Sequence, residues 1–195
     1  MDSGPWLRDV FILLGLAVLN GFFSLAEMAV VSSRKARLKA GADAGKIGYA
    51  QALKTAGNPG PFLSTIQIAI TLIGLVSGAF GGATLADLMA KILAQIPLLA
   101  PWADALGLAA VLLILTFASI IIGELVPKQI ALSNPERIAS GIVGPLRIIQ
   151  TVFWPVERFL SATTRLILRI FHIRESPDTV VTTEEIRVML HEGEQ

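Results

Sequence analysis

The sequence predicts an all-α membrane protein: three transmembrane helices, amino terminus outside and carboxyl terminus inside, followed by juxtamembrane helices on the cytoplasmic side. Three observations carry that prediction. The chain is 53% hydrophobic and only 16% charged, with a mean hydropathy of +0.67, whereas a soluble domain is about 45–50% apolar with about 25% charge. It contains three apolar stretches long enough for the roughly 20 residues a spanning helix needs. Its Lys and Arg residues gather after the first and third stretches, which sets the expected orientation by the positive-inside rule.

The first span covers residues 7–31. Its positive charge follows the apolar run, so it reads as a retained helix and not as a cleaved signal. Arg34, Lys35, Arg37, Lys39, Lys46 and Lys54 then make a cytoplasmic loop. Asn58-Pro-Gly-Pro61 is a helix-start signal and opens the second span, residues 61–82. Residues 83–104 hold Asp87, Lys91, Gln95, Pro97 and Pro101. A fourth span there would put the arginine-rich remainder outside, so a poorly ordered or interfacial external segment is expected.

The third span covers residues 105–126, and the chain after Lys128 is basic again. Residues 138–171 are apolar but interrupted by Gly144-Pro145 and by Pro155. Arg147, Arg158, Arg165 and Arg169 fall on one stripe of a helix at 100° per residue, which predicts helices lying in the membrane interface; the alternative is a fourth span with a proline kink. Thr182-Thr-Glu-Glu185 matches a capping box and predicts a soluble amphipathic helix. The expected plan is a membrane domain over 1–174, its juxtamembrane belt over about 133–174, and the start of a cytosolic connector over 175–195.

The most informative residue is Glu124, inside the apolar run and followed by Pro127 and Lys128. A carboxylate at membrane depth costs about 2.5 kcal/mol or more and is usually kept for a function. Pro127 cannot donate to the carbonyl of Gly123, four residues back, and its ring pushes that carbonyl aside. A carboxylate, a loosened carbonyl and a glycine in one stretch suit a cation.

Polar residues in the other spans fall at similar depth. Asn20, Ser24 and Glu27 share a face of the first helix; Ser64, Gln67 and Thr71 share one of the second. Thr116, Ser119 and Gly123 repeat the rhythm in the third. On the expected topology all three sets lie in the middle or cytoplasmic half of the bilayer, which predicts one shared polar cavity opening to the cytoplasm. Hydroxyl, amide, carboxylate and carbonyl oxygens suit Mg²⁺, Ca²⁺ or Na⁺. The histidines are confined to His172 and His191 and no cysteine is present, which argues against zinc or iron and excludes disulfides. The bland alternatives are that the hydroxyls back-bond to the preceding turn, that Glu27 faces headgroups or pairs with Arg34, and that Glu124 pairs with Lys128. Gly74, Gly78 and Gly82 form two overlapping G-x-x-x-G patterns, a packing signal within the chain or between two copies.

Three motifs, Asn20-Gly-Phe-Phe-Ser-Leu-Ala-Glu-Met-Ala29, Leu63-Ser-Thr-Ile-Gln-Ile-Ala-Ile-Thr-Leu72 and Gly123-Glu-Leu-Val-Pro-Lys128, together resemble the transmembrane domain of the CNNM/CorC magnesium transporters. The resemblance implies a multi-pass protein of a cell membrane, a bacterial inner membrane here, assembled as a homodimer in contact with membrane lipids. It implies Mg²⁺ export driven by Na⁺ entry, with ATP acting only through cytosolic modules beyond this stretch. It also implies Ser24, Ser64 and Glu124 as Mg²⁺ ligands beside the Gly123 backbone, with Pro127 shaping the break. Some members carry Asn where this chain has Ile70, so either Gln67 or Asn20 supplies a substitute oxygen or the site differs. The alternative function is a membrane-anchored cation sensor without transport. No P-loop pattern occurs. Neither a zinc pair nor a nucleophile–base arrangement suggests an enzyme, and nothing suggests a nucleic-acid partner.

Overall fold

The computed structural model describes residues 4–171; His172, His191 and the helix expected from Thr182 lie outside them. Among the described residues the structure is helical. Its helices are α1 (Gly4–Ser32), α2 (Lys35–Asp43), α3 (Ile47–Gly57), α4 (Gly60–Leu93), α5 (Ala103–Ile120), α6 (Val126–Ser133) and α7 (Pro135–Ile170). A 3₁₀ turn, Ala100–Trp102, precedes α5, and a π-helical turn, Ile121–Leu125, joins α5 to α6. Among the described residues, 6–32, 60–80 and 100–133 are the stretches long and apolar enough to cross a membrane. This is a multi-pass membrane protein. Its contacts fall into two units divided after Glu157, and both sites described below lie in the first.

α4 packs against both α1 and α5, while α6 and the π turn pack against α1. The buried core gathers at the basic end of the spans. Phe23, Ala26, Ala29 and Val30 of α1 meet Leu38 of α2, Ala52 and Ala56 of α3, Phe62, Ile66 and Ala69 of α4, and Ala139, Val143 and Leu146 of α7. Alanines let these helices approach closely. The lipid-facing helix surfaces are left apolar, as at Phe11, Leu75, Leu113 and Phe117.

The loop expected after the first span is two short helices, α2 and α3. Arg34, the residue before α2, offers no side-chain cap. Its backbone N–H instead donates to Glu136 Oε1 at 3.2 Å, and Arg37 reaches the other carboxylate oxygen at 3.8 Å. Glu136 is buried, with 5% of its surface exposed, so this carboxylate ties α7 to the start of α2. Glu136→Ala removes a charge-assisted hydrogen bond to the start of α2 and an ion pair with Arg37. The expected loss is about 2 kcal/mol, read as a lower Tm of the detergent-solubilised protein; an unchanged Tm contradicts this role.

Two segments differ from the sequence expectation. Residues 83–93 are helical rather than poorly ordered; they continue α4, which runs 34 residues, about 51 Å at 1.5 Å per residue. That exceeds the roughly 30 Å of hydrocarbon, so α4 projects past its span. The charges that suggested an interface are an i,i+4 pair, Lys91 Nζ to Asp87 at 2.6 Å. The stem is held by a close approach of α5, where a Cβ on Gly107 would lie 2.7 Å from the Ala90 nitrogen. The second difference is α7, a single helix carrying both Pro145 and Pro155 inside it. Pro145 removes the donor for the Gly141 carbonyl, and Gly141 is open, with nothing within 4 Å of where its Cβ would be.

Gly74 and Gly78 likewise have nothing within 4 Å of a Cβ. They do not bring helices of this chain into close contact; they line the space between α1, α4 and α5.

Candidate functional site

The site begins with Pro127. Without an N–H it cannot donate to the Gly123 carbonyl four residues back, and its ring widens the preceding turn. The chain accommodates this with one extra residue: the Val126 N–H bonds to the Ile121 carbonyl, five back, closing the π turn. Such one-turn bulges mark functional sites frequently.

α1 fits into the break. A Cβ on Gly21 would lie 2.7 Å from the Ile122 carbonyl oxygen and 2.8 Å from Pro127 Cγ, so only glycine allows this approach. One residue earlier, Asn20 donates its Nδ2–H to the Gly123 carbonyl at 3.1 Å. The carbonyl expected to be loose is therefore held across 103 residues of sequence by an amide of the first span. Because the nitrogen is spent there, Asn20 Oδ1 points elsewhere. It is buried and has no hydrogen-bond partner among the described residues. An unsatisfied buried acceptor costs about 1–3 kcal/mol.

Glu124 follows Gly123 but does not turn into the bundle. Lys128 Nζ donates to Glu124 Oε1 at 2.7 Å, and the carboxylate side chain is 49% exposed. The ion pair weighed from the sequence is the arrangement present. Ser24, one turn after Asn20, is 2% exposed. Ser64 and Glu27 are half-buried, and Gln67, Thr71 and Ser119 are exposed. Thr71 back-bonds to the Gln67 carbonyl at 2.8 Å, as many membrane threonines do; among the described residues Ser24 and Ser64 show no such bond. The Glu27–Arg34 pair is not formed. No group of three or more His, Cys, Asp or Glu among the described residues is placed to hold a metal.

The cavity between the spans differs from expectation. About 520 Å³ lies among α1, α4 and α5, lined by Asn20, Thr116 and Ser119 with Leu13, Ile73 and Leu115. Ser24, Ser64, Gln67 and Glu124 do not line it. It runs from Asn20 toward Val10, away from the basic end, and its walls are mostly apolar. Asn20 sits at its inner limit, one residue from the packed π turn. The site is thus centred on Asn20, Gly123 and their neighbours rather than on an open basin of hydroxyls. Asp9 was missed by sequence reading. It is 6% exposed near the other end of α1 and pairs with Arg8 at 3.4 Å; its place within an apolar run was the signal.

The family model for the Cyclin M transmembrane N-terminal domain, CNNM, matches residues 11–195. The chain belongs to the CNNM family. A Synechocystis protein, UPF0053 protein sll0260, is 44% identical over 195 residues, all of this chain and 44% of its own length. A Haemophilus influenzae polyamine export protein is 26% identical over 186 residues, 95% of this chain and 43% of the relative. The Bacillus subtilis UPF0053 protein YhdT is 27% identical over 188 residues, 95% and 41% respectively. This CNNM stretch therefore spans less than half the length of these relatives.

Proposed function

We propose that this CNNM domain exports Mg²⁺ in exchange for Na⁺ through a cation site at the π turn of the third span. The observation that supports it most is the buried, unpartnered Asn20 Oδ1 beside the Gly123 carbonyl. A hard cation satisfies such an oxygen at no cost in further donors. Amide, carbonyl, hydroxyl and one carboxylate are the donor types Mg²⁺ accepts, with retained water completing its octahedron. Ser24 lies one turn along α1, and Glu124, next to Gly123 in the chain, is the carboxylate that would join the site once released from Lys128. Ser64, Gln67, Thr71, Glu27 and Ser119 are outer candidates, of which Thr71 has its hydroxyl already engaged.

Lys128 then acts as a resident counter-cation. With no ion bound, its ammonium holds the carboxylate; an arriving Mg²⁺ competes for it. Lys128→Gln is expected to raise Mg²⁺ affinity by about tenfold, the worth of one charge-assisted hydrogen bond. Calorimetry checks this, and a weaker affinity in that variant contradicts the competition.

Polyamine export is the second reading, favoured by the names of relatives at 26–27% identity. The two differ in what the site must offer. A polyamine needs several separated anionic or carbonyl groups along an elongated channel, whereas the π turn gathers oxygens at one point. Flux from proteoliposomes containing the purified protein decides. Mg²⁺ efflux that follows an imposed Na⁺ gradient supports the proposal. Labelled spermidine efflux without Mg²⁺ flux supports the second reading, and Mg²⁺ binding with no flux of either makes the protein a sensor.

A further inference from the structure

A second cavity, about 570 Å³, lies at the basic end between α3, the start of α4 and α7. Its volume falls within the roughly 300–1,000 Å³ of small-ligand sites. Lys54 from α3 and Arg147 from α7 both line it, and neither is in an ion pair among the described residues. The amides of Asn58 and Gln150 line it too, as does the ring of Trp154. Glu157, the remaining charged residue on its wall, has an interaction of its own, and the wall keeps an excess of one positive charge.

Position gives this chemistry its meaning. Pro61 and Phe62, on the cavity wall, belong to the first turn of α4, where the second span begins. The cavity therefore sits at the level of lipid headgroups. Phe62 is buried and apolar, whereas Trp154 is 55% exposed. A half-exposed indole beside cations is the signature of the membrane–water boundary. Basic residues near a membrane usually attract anionic lipid diffusely, at about 1 kcal/mol each. Here two of them, from helices distant in sequence, converge on one concave volume together with neutral hydrogen-bond donors. Guanidinium and ammonium over amide donors fit a phosphodiester.

We propose that this cavity binds the phosphate of an anionic phospholipid headgroup. The lipid wedges α3 and the first turn of α4 against α7, so it acts as a structural ligand at the membrane boundary.

The test is binding of dioctanoyl-phosphatidylglycerol to the purified protein in a neutral detergent, read by native mass spectrometry and by thermal shift. Saturable binding is expected, with no comparable binding of dioctanoyl-phosphatidylcholine. Lys54→Gln with Arg147→Gln should weaken it by about tenfold or more. Lys35→Gln with Lys39→Gln, exposed cations of α2, should leave it unchanged. Unchanged binding in the first pair, or equal loss in the second, overturns the proposal. Full displacement of the lipid by millimolar inorganic phosphate also overturns it, by making a free anion the ligand. A measurement on the unaltered protein stands apart from any folding defect. A photoactivatable phosphatidylglycerol should label residues 54–62 and 147–154; labelling spread evenly over the basic helices contradicts the site.

Discussion

Asn20→Asp is expected to make the folding of this protein depend on Mg²⁺. The amide holds the Gly123 carbonyl through its Nδ2 at 3.1 Å. A carboxylate in its place sets oxygen against oxygen beside a buried, already unsatisfied acceptor position. Without ion the variant loses the hydrogen bond and gains a buried negative charge, a penalty of several kcal/mol. With ion the same charge becomes a stronger ligand than the amide. The Tm of the variant should therefore fall well below that of the wild type in chelator and recover most of the difference in millimolar Mg²⁺. Asn20→Leu, which has no ligand atom, should lose the Mg²⁺ response and transport together. A variant Asn20→Asp whose Tm is indifferent to Mg²⁺ places the ion elsewhere.

The second large effect belongs to Gly21. Any side chain there meets the Ile122 carbonyl at 2.7 Å and the Pro127 ring at 2.8 Å from its first carbon. Both obstacles are backbone or ring atoms with little freedom, and overpacking of this kind costs about 1–3 kcal/mol. Gly21→Val adds two further methyl groups and should reach the upper end, seen as loss of the monodisperse peak in size-exclusion chromatography of solubilised protein. Adding Pro127→Ala removes the ring contact but not the carbonyl contact, so rescue should be partial. Wild-type behaviour of Gly21→Val contradicts the close fit of α1 into the π turn.

The three spans and their order were legible because hydropathy depends only on the chain itself. So was the fate of the Gly123 carbonyl up to a point: Pro127 dictates that it loses its helical donor. What replaces that donor is a tertiary matter, since Asn20 is 103 residues away and its depth match gave only a shared level, not a bond. The direction of Glu124 was ambiguous for a local reason. A lysine four residues on is always within reach of a helical glutamate, and an inward partner is not encoded nearby. Asp87 and Lys91 were ambiguous in the same way: counted as charges they mark a segment outside the hydrocarbon, and as an i,i+4 pair they support a helix. The prolines of α7 were read as breaks because the donor loss is visible in sequence, whereas the open surroundings that tolerate it are not. The cavity was expected among the hydroxyls of all three spans; it takes in Thr116 and Ser119 but not Ser24 or Ser64, and lies on the other side of Asn20, where leucines and glycines leave space.

The most direct measurement is a structure of the protein soaked in Mn²⁺, a Mg²⁺ substitute located by its anomalous scattering. The expected result is one peak within about 2.2 Å of Asn20 Oδ1, with the Glu124 carboxylate turned away from Lys128 toward it. A peak remote from Asn20, or a bound ion with the Glu124–Lys128 pair still closed, contradicts a cation site at the π turn.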